Sequence, residues 1–354
     1  MSDGVLACQQ IEALADAGGI SATAFDADQV QPASLDLRLG DVAYRVRASF
    51  LPGEGRRLED RLGEFEMHRV PLAGGAVLEK GCVYLVPLQE SLSLPADISA
   101  VANAKSSTGR LDLLTRTVTD GGVEFDRIPG GYDGPLYAEI CPRSFSVLVR
   151  PGMRLNQIRF RRGEARLDDE ALRDLHGRTP LVDGTALIDD GLGFSVDLSS
   201  GESGLVGWRA KPHSGVIDLE RIGHYDPSDF WEPIRTGDRR IILDPGAFYI
   251  LVSREAVTIP PDYAAEMAPY LAMVGEFRVH YAGFFDPGFG HGTPARGVLE
   301  VRCHEAPFAL EHGQVVGRLL YERMSEAPAT LYGAGIASNY QGQGLKLSKH
   351  FKAP

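Results

Sequence analysis

Cysteine is scarce in this chain. Cys8, Cys82, Cys141 and Cys303 lie far apart among 354 residues, and no two form a Cys-x-x-Cys pair. Such spacing supports neither a disulfide framework nor a zinc cage, so reduced and mostly buried thiols are expected. Long apolar runs are missing too; none approaches the ~20 residues needed to span a bilayer. The opening Met-Ser-Asp-Gly-Val-Leu-Ala lacks the basic start and apolar stretch of a signal peptide. The expectation is a cytoplasmic protein with no membrane partner. Nor is there a surplus of cations: 36 Lys and Arg stand against 48 Asp and Glu, a formal charge of −12. This argues against non-specific nucleic-acid binding, which depends on basic surface. A small anionic substrate stays open, because it needs only a local cluster of cations.

What is present is a soluble globular composition, 44% hydrophobic and 24% charged, with length enough for two domains. Three blocks of the first half return in the second in the same order. Ser34-Leu-Asp-Leu-Arg-Leu-Gly40 matches Ser195-Val-Asp-Leu-Ser-Ser-Gly201, 161 residues on. Leu78-Glu-Lys-Gly81-Cys-Val-Tyr84 matches Leu243-Asp-Pro-Gly246-Ala-Phe-Tyr249, 165 residues on, and Glu90, Pro95 and Asp97 continue into Glu255, Pro260 and Asp262. Glu139 and Gly152 match Glu300 and Gly313, again 161 residues on. Any one block is within reach of chance; three in order point to a duplicated domain. The copies are expected over 1–170 and 185–354. The boundary falls within 163–192, where Asp168-Asp-Glu-Ala-Leu-Arg-Asp-Leu-His176 reads as a short polar helix.

Most other segments read as strands. Val83-Tyr-Leu-Val-Pro-Leu88 and Phe248-Tyr-Ile-Leu-Val252 are β-branched and aromatic runs that follow glycine turns. With 41 glycines and 22 prolines and few amphipathic helices, the chain is expected to be mainly β, two sandwiches or barrels with a few short helices.

Three clusters carry chemistry. In Lys105-Ser-Ser-Thr-Gly-Arg110, hydroxyls, backbone amides and two cations can grip phosphate oxygens. Equally, Ser106 or Ser107 could cap a helix over Leu111-Asp-Leu-Leu114. The second copy has Tyr270, Leu271, Ala272 and Gly275 at these positions, so the fold does not itself require the cluster. In Ala282-Gly-Phe-Phe-Asp286-Pro-Gly-Phe289, Asp-Pro-Gly is a tight-turn sequence, and Val298-Leu-Glu300 follows as a strand. This hairpin either presents its carboxylates to a planar ligand or merely serves its own turn. The polar segment Tyr332-Gly-Ala-Gly-Ile-Ala-Ser-Asn339-Tyr340-Gln-Gly-Gln343-Gly344 suits either a disordered terminus or a cover over a nucleotide.

Taken together, the clusters resemble those of the dCTP deaminases, in the superfamily of the trimeric dUTPases. Lys105, Ser106, Ser107 and Arg110 match that family's phosphate motif. Ala282 and Asp286 match its hairpin, with Asp286 implied on the deoxyribose 3′-hydroxyl. Val298-Leu-Glu300 matches the strand that bears its catalytic carboxylate. Tyr332, Asn339 and Gln343 fall at the spacing of tail residues that contact base and triphosphate, with Asn339 in place of a usual lysine. Gln31-Pro-Ala-Ser-Leu-Asp-Leu-Arg-Leu-Gly40 is similar to the family's N-terminal segment. The family carries its motifs in one copy per chain. Here the first copy has the Ser-Ser cluster but Pro129 where the hairpin aspartate belongs, and the second has Asp286 and Glu300 without the cluster. That division implies one composite site per chain and leaves self-association open.

The resemblance implies hydrolytic deamination of dCTP, with Glu300 as general base and acid and the triphosphate carried as its Mg²⁺ complex. Zinc deaminases need Pro-Cys-x-x-Cys, which is absent, so no zinc is expected. dUTP hydrolysis with Asp286 as base is the alternative enzyme, and a non-catalytic sensor of dCTP or dTTP is the alternative to an enzyme. A regulatory role for dTTP is likewise implied only by the resemblance.

Overall fold

Alternation of side chains sets the architecture. Along Ala295–Cys303, Leu299, Val301 and Cys303 turn into a core, while Val298, Glu300 and Arg302 take the opposite face. Equivalent alternation recurs in most segments, and the chain is mainly β, with a few short helices of at most ten residues among the described residues. The computed structural model describes residues 2–199, 204–268, 277–279, 282–333 and 344–353. No helix is long and apolar enough to cross a membrane.

The chain divides into two compact units. The first holds 1–165 with 215–222 and 324–329; the second holds 166–214, 223–323 and 330–354. In the first unit one sheet runs in the order Arg127–Ile128, Ile98–Ala104, Arg154–Arg162, Ser34–Arg38, Val30–Gln31. A second runs Leu113–Thr119, Asp133–Pro142, Val83–Ser93, Val42–Val46, Glu66–Pro71. Helix Leu58–Phe65 buries Leu58 and Leu62 against the face of that sheet bearing Leu85, Val118 and Tyr137.

In the second unit one sheet runs Leu192–Ser195, Val315–Arg323, Tyr263–Met267, Phe284–Phe285. The other runs Trp231–Arg235, Leu205–Ala210, Phe248–Val257, Ala295–Cys303, Phe277–Val279. Leu251, Leu299, Val301, Leu319 and Tyr321 contribute to its buried core. The polar helix expected near 168–176 spans Asp169–Arg178 and belongs to this unit. Asp168 caps it by accepting from Ala171 N–H at 2.8 Å, and His176 and Arg178 sit in its last turn, where cations are favoured.

Registers within the two units correspond. Glu139 lies opposite Leu85 and Ile158 opposite Ala102 in the first; Glu300 lies opposite Ile250 and Leu319 opposite Met267 in the second. These pairs keep the 161- and 165-residue separations read from sequence. The first block does not. Arg38 N–H donates to Glu90 Oε2 (2.8 Å), whereas Ser195 N–H donates to Glu255 Oε2 (2.8 Å), so Ser195 stands in the place of Arg38 and not of Ser34. The turns agree: Leu39 N–H bonds Met153 O in one unit, and Val196 N–H bonds Gln314 O in the other. Shared Ser-x-Asp-Leu letters misaligned that block by four residues. Its position is set instead by which backbone amide reaches the buried glutamate.

Candidate active site

In the first unit the Ser-Ser cluster follows strand Ile98–Ala104. Lys105 precedes a single helical turn, Ser106–Gly109, whose N–H groups at Thr108 and Gly109 both bond Lys105 O at 2.9 Å. The expectation that these serines cap a helix over 111–114 does not hold, because Leu113–Thr119 is a strand. The serines are themselves the helical turn. Ser106 is half-buried, while Ser107 and Arg110 are buried. The Lys105 ammonium is ion-paired with the Asp36 carboxylate, itself buried. Arg154 approaches the same carboxylate at 3.8 Å and bonds Asp26 and Asp28 at 2.7 Å each, holding both below the usual carboxylate range. Lys105 is thus charge-compensated before any ligand binds. Composition did not point to Asp36 as its partner, since pairing across 69 residues is a tertiary fact.

The second unit assembles the hairpin. Strand Phe277–Val279 pairs antiparallel with Ala295–Cys303, Val279 opposite Val301, and Phe284–Phe285 pairs with Tyr263–Met267. Between them Phe289 N–H donates to Asp286 O at 3.0 Å, closing the turn, and Gly288 sits at φ +93°, which only glycine adopts without strain. Asp286 is 7% exposed and Ala282 half-buried. In the first unit Tyr132 N–H donates to Pro129 O at 3.3 Å, the same turn with a proline in the aspartate's place.

Glu300 is 3% exposed. Directly opposite residues on neighbouring strands share a face, so the ladder places Pro233, Trp208, Ile250 and Glu300 in one row across four strands. The adjoining positions on that face are Val298, opposite Val252, and Arg302, opposite Phe248 and Arg278. Glu300 therefore shares its sheet face with Trp208, Ile250 and Val298 and with the guanidinium-bearing Arg302 and Arg278. This row was not foreseen from sequence, because it requires strand order.

The matching Glu139 has different surroundings. It forms an ion pair with Arg116, directly opposite on the neighbouring strand, and the Arg116 guanidinium lies 3.6 Å from the Phe125 ring centroid. Helix Leu58–Phe65 packs over the residues beside it.

The tail begins against the hairpin. Tyr332 N–H donates to Pro287 O at 2.9 Å, and its ring lies 5.6 Å from that of Phe289. Asn339 and Gln343 lie outside the described residues. Further along the chain Gly223 N–H donates to Lys349 O, His224 and Tyr225 N–H to His350 O, and Lys352 N–H to Tyr225 O. Leu347, Ser348, His350 and Phe351 are buried. Among the described residues no group of three His, Cys, Asp or Glu side chains could hold a metal ion.

Residues 2–164 match the family model for the N-terminal domain of 2′-deoxycytidine 5′-triphosphate deaminase, and 168–351 match that for its C-terminal domain. A crystal structure of 2′-deoxycytidine 5′-triphosphate deaminase from Agrobacterium tumefaciens is 58% identical, with a TM-score of 0.89, over 93% of this chain and 100% of that one. Curated relatives include the dUMP-forming dCTP deaminase of Beutenbergia cavernae, 36% identical over 137 residues, and the dCTP deaminase of Halorubrum lacusprofundi, 32% identical over 134. Each match takes in 37% of this chain, and 64% and 63% of those relatives' lengths.

Proposed function

The chain belongs to the 2′-deoxycytidine 5′-triphosphate deaminase family, and from that premise we propose that it hydrolyses the C4 amino group of dCTP, releasing ammonia and dUTP. The observation that carries this reading is the burial of Glu300 on a strand within the segment that matches the family's C-terminal domain. Water attacks C4 as Glu300 takes one of its protons and passes it to N3; the carboxylate then moves the remaining hydroxyl proton to the amino group, which leaves as ammonia as the C4 carbonyl forms. Asp286 binds the deoxyribose 3′-hydroxyl. Ala282, Val298 and Tyr332 line the nucleoside, with Asn339 and Gln343 contributing from the tail. Lys105, Ser106, Ser107 and Arg110 bind the triphosphate. Their N–H and O–H donors suit phosphate oxygens and not a metal ion, and the nearby Asp36 is already paired with Lys105. Mg²⁺ would therefore ride on the phosphates, where it neutralises charge.

We read the units as tandem copies of a dUTPase-like β-sandwich, supported by the matching registers of Glu139 with Leu85 and Glu300 with Ile250. In that reading the first copy keeps the phosphate cluster and the second the deaminating carboxylate. The ion pair to Arg116 and the Pro129 turn favour a structural role for Glu139.

A second reading has a specific basis. Relatives such as that of Beutenbergia cavernae are named dUMP-forming, so pyrophosphate release from the same site would follow deamination. Incubation with dCTP, dCMP and dUTP, with ammonia and pyrophosphate both quantified, separates the cases. Ammonia from dCTP alone supports dUTP as product; ammonia and pyrophosphate in equal amounts support dUMP. No ammonia from any nucleotide refutes deamination and leaves a sensor that answers to dCTP or dTTP. Zinc-selective chelation is expected to leave ammonia release unchanged.

A further inference from the structure

The chain contains two tryptophans, and both lie on the sheet face that carries Glu300. Trp208 is opposite Ile250, which is opposite Glu300. Trp231 is opposite Ala210, two residues along from Trp208, and its ring lies 6.1 Å from that of Phe248. Phe248 in turn is opposite Arg302, two residues from Glu300 on the same strand. Trp231 and Phe248 are each 1% exposed, yet neither belongs to the core that Leu299 and Val301 join on the other face.

Phe351 seals this block. Its ring centroid lies 5.9 Å from Trp231, 5.5 Å from Phe230 and 6.3 Å from Tyr225. Backbone bonds between 223–225 and 349–352 hold it there, beside a buried Ser348–His350 hydrogen bond of 2.9 Å.

We infer that Phe351 is a positioning residue for Glu300, acting through Trp231 and Phe248 to fix the strand face that presents the carboxyl and to exclude water from its neighbouring row. The inference rests on the assignment of Glu300 as the deaminating residue. Loss of the Phe351 ring opens a cavity over Trp231, and close-packed interiors pass such a loss to the next layer. The reacting geometry then loosens while the nucleotide contacts elsewhere stay in place, which lowers kcat more than it raises KM.

The test uses the full chain with Phe351→Ala, Phe351→Leu and Glu300→Gln, assayed for ammonia release from dCTP well below their melting temperatures. Phe351→Ala should lower kcat about tenfold with KM within about twofold of the parent. Tryptophan emission should shift to the red in Phe351→Ala, and in a Trp208→Phe background the shift should persist, since Trp231 is the ring in contact. Phe351→Leu, which fills most of the volume, should recover most of both signals. A folded Phe351→Ala with parental kcat overturns the inference, as does an equal loss in kcat and in affinity. If Phe351→Ala does not fold, Phe351→Leu decides: a smaller fall in kcat at constant KM supports the inference, and parental kcat overturns it. Glu300→Gln is the separate arm. If it still deaminates, the premise fails whatever Phe351 does.

Discussion

Gly288→Ala probes the join between the Asp286 turn and the tail. Gly288 has φ +93°, so any side chain there costs about 1–2 kcal/mol in backbone strain. A Cβ at this position would also stand 3.1 Å from Leu331 Cβ, 3.3 Å from Tyr332 N and 3.4 Å from Tyr332 O. Two of these are backbone atoms, which cannot swing aside as a flexible side chain can. Relief requires Tyr332 to move, and its N–H bond to Pro287 O at 2.9 Å goes with it, a further loss of about 1 kcal/mol. The sum, about 2–3 kcal/mol, corresponds to about a 30- to 150-fold shift away from the docked arrangement. Gly292 supplies the control: its φ is +80°, but a Cβ there meets nothing within 4 Å. Gly292→Ala thus carries the backbone strain without the crowding. Measured by ammonia release from dCTP, kcat/KM should fall about fivefold further in Gly288→Ala than in Gly292→Ala, the equivalent of the ~1 kcal/mol that the shared strain leaves. Equal effects of the two substitutions would refute the argument that contact with Tyr332 matters.

Glu300→Gln should reduce deamination about a hundredfold or more while nucleotide still binds, whereas Glu139→Gln should keep substantial turnover in the folded protein; the reverse pattern would move the chemistry to the first copy. Arg110→Ala should raise KM for dCTP by an amount on the order of 2 kcal/mol, the worth of a charged hydrogen bond. Because Arg110 is buried, its loss should also lower the melting temperature, and an unchanged KM would return the cluster to a purely structural role. Asp197 offers a pH test. Burial raises the pKa of its carboxyl, but hydrogen bonds from Ser199 and Arg296 outweigh that and leave it below the usual range. A depressed folded pKa contributes stability above the unfolded value of about 4, and that stability is lost as pH falls through the folded pKa. Calorimetry should therefore show Asp197→Asn less stable than the parent at pH 7, with the gap narrowing on acidification below about pH 4. A gap of constant size would show that the charge is irrelevant.

Local sequence determined the character of the elements. β-branched and aromatic runs after glycine turns became strands, and Asp168 with its acidic first turn became a capped helix, because these outcomes depend on neighbours a few residues away. The Asp-Pro-Gly turn was legible for the same reason. Repetition in the chain brought Glu139 and Glu300 into correspondence, since glutamates and glycines at matched separations survive as letters. What local letters could not decide was register against a distant strand. The Ser34 block was misaligned by four residues, because the place of Arg38 and Ser195 is set by the buried Glu90 and Glu255. Only strand order put Ile250 beside Glu300, with Trp208 beyond it in the same row, and Arg116 beside Glu139. Two glutamates equivalent in sequence thereby acquired different neighbours, Ile250 directly opposite Glu300 and Arg116 opposite and ion-paired with Glu139. The same holds for Lys105 with Asp36 and for Phe351 with Trp231. Each is a pairing between segments far apart in the chain. The free energy that selects it comes from burial and charge compensation in the folded state, which no local window of sequence contains.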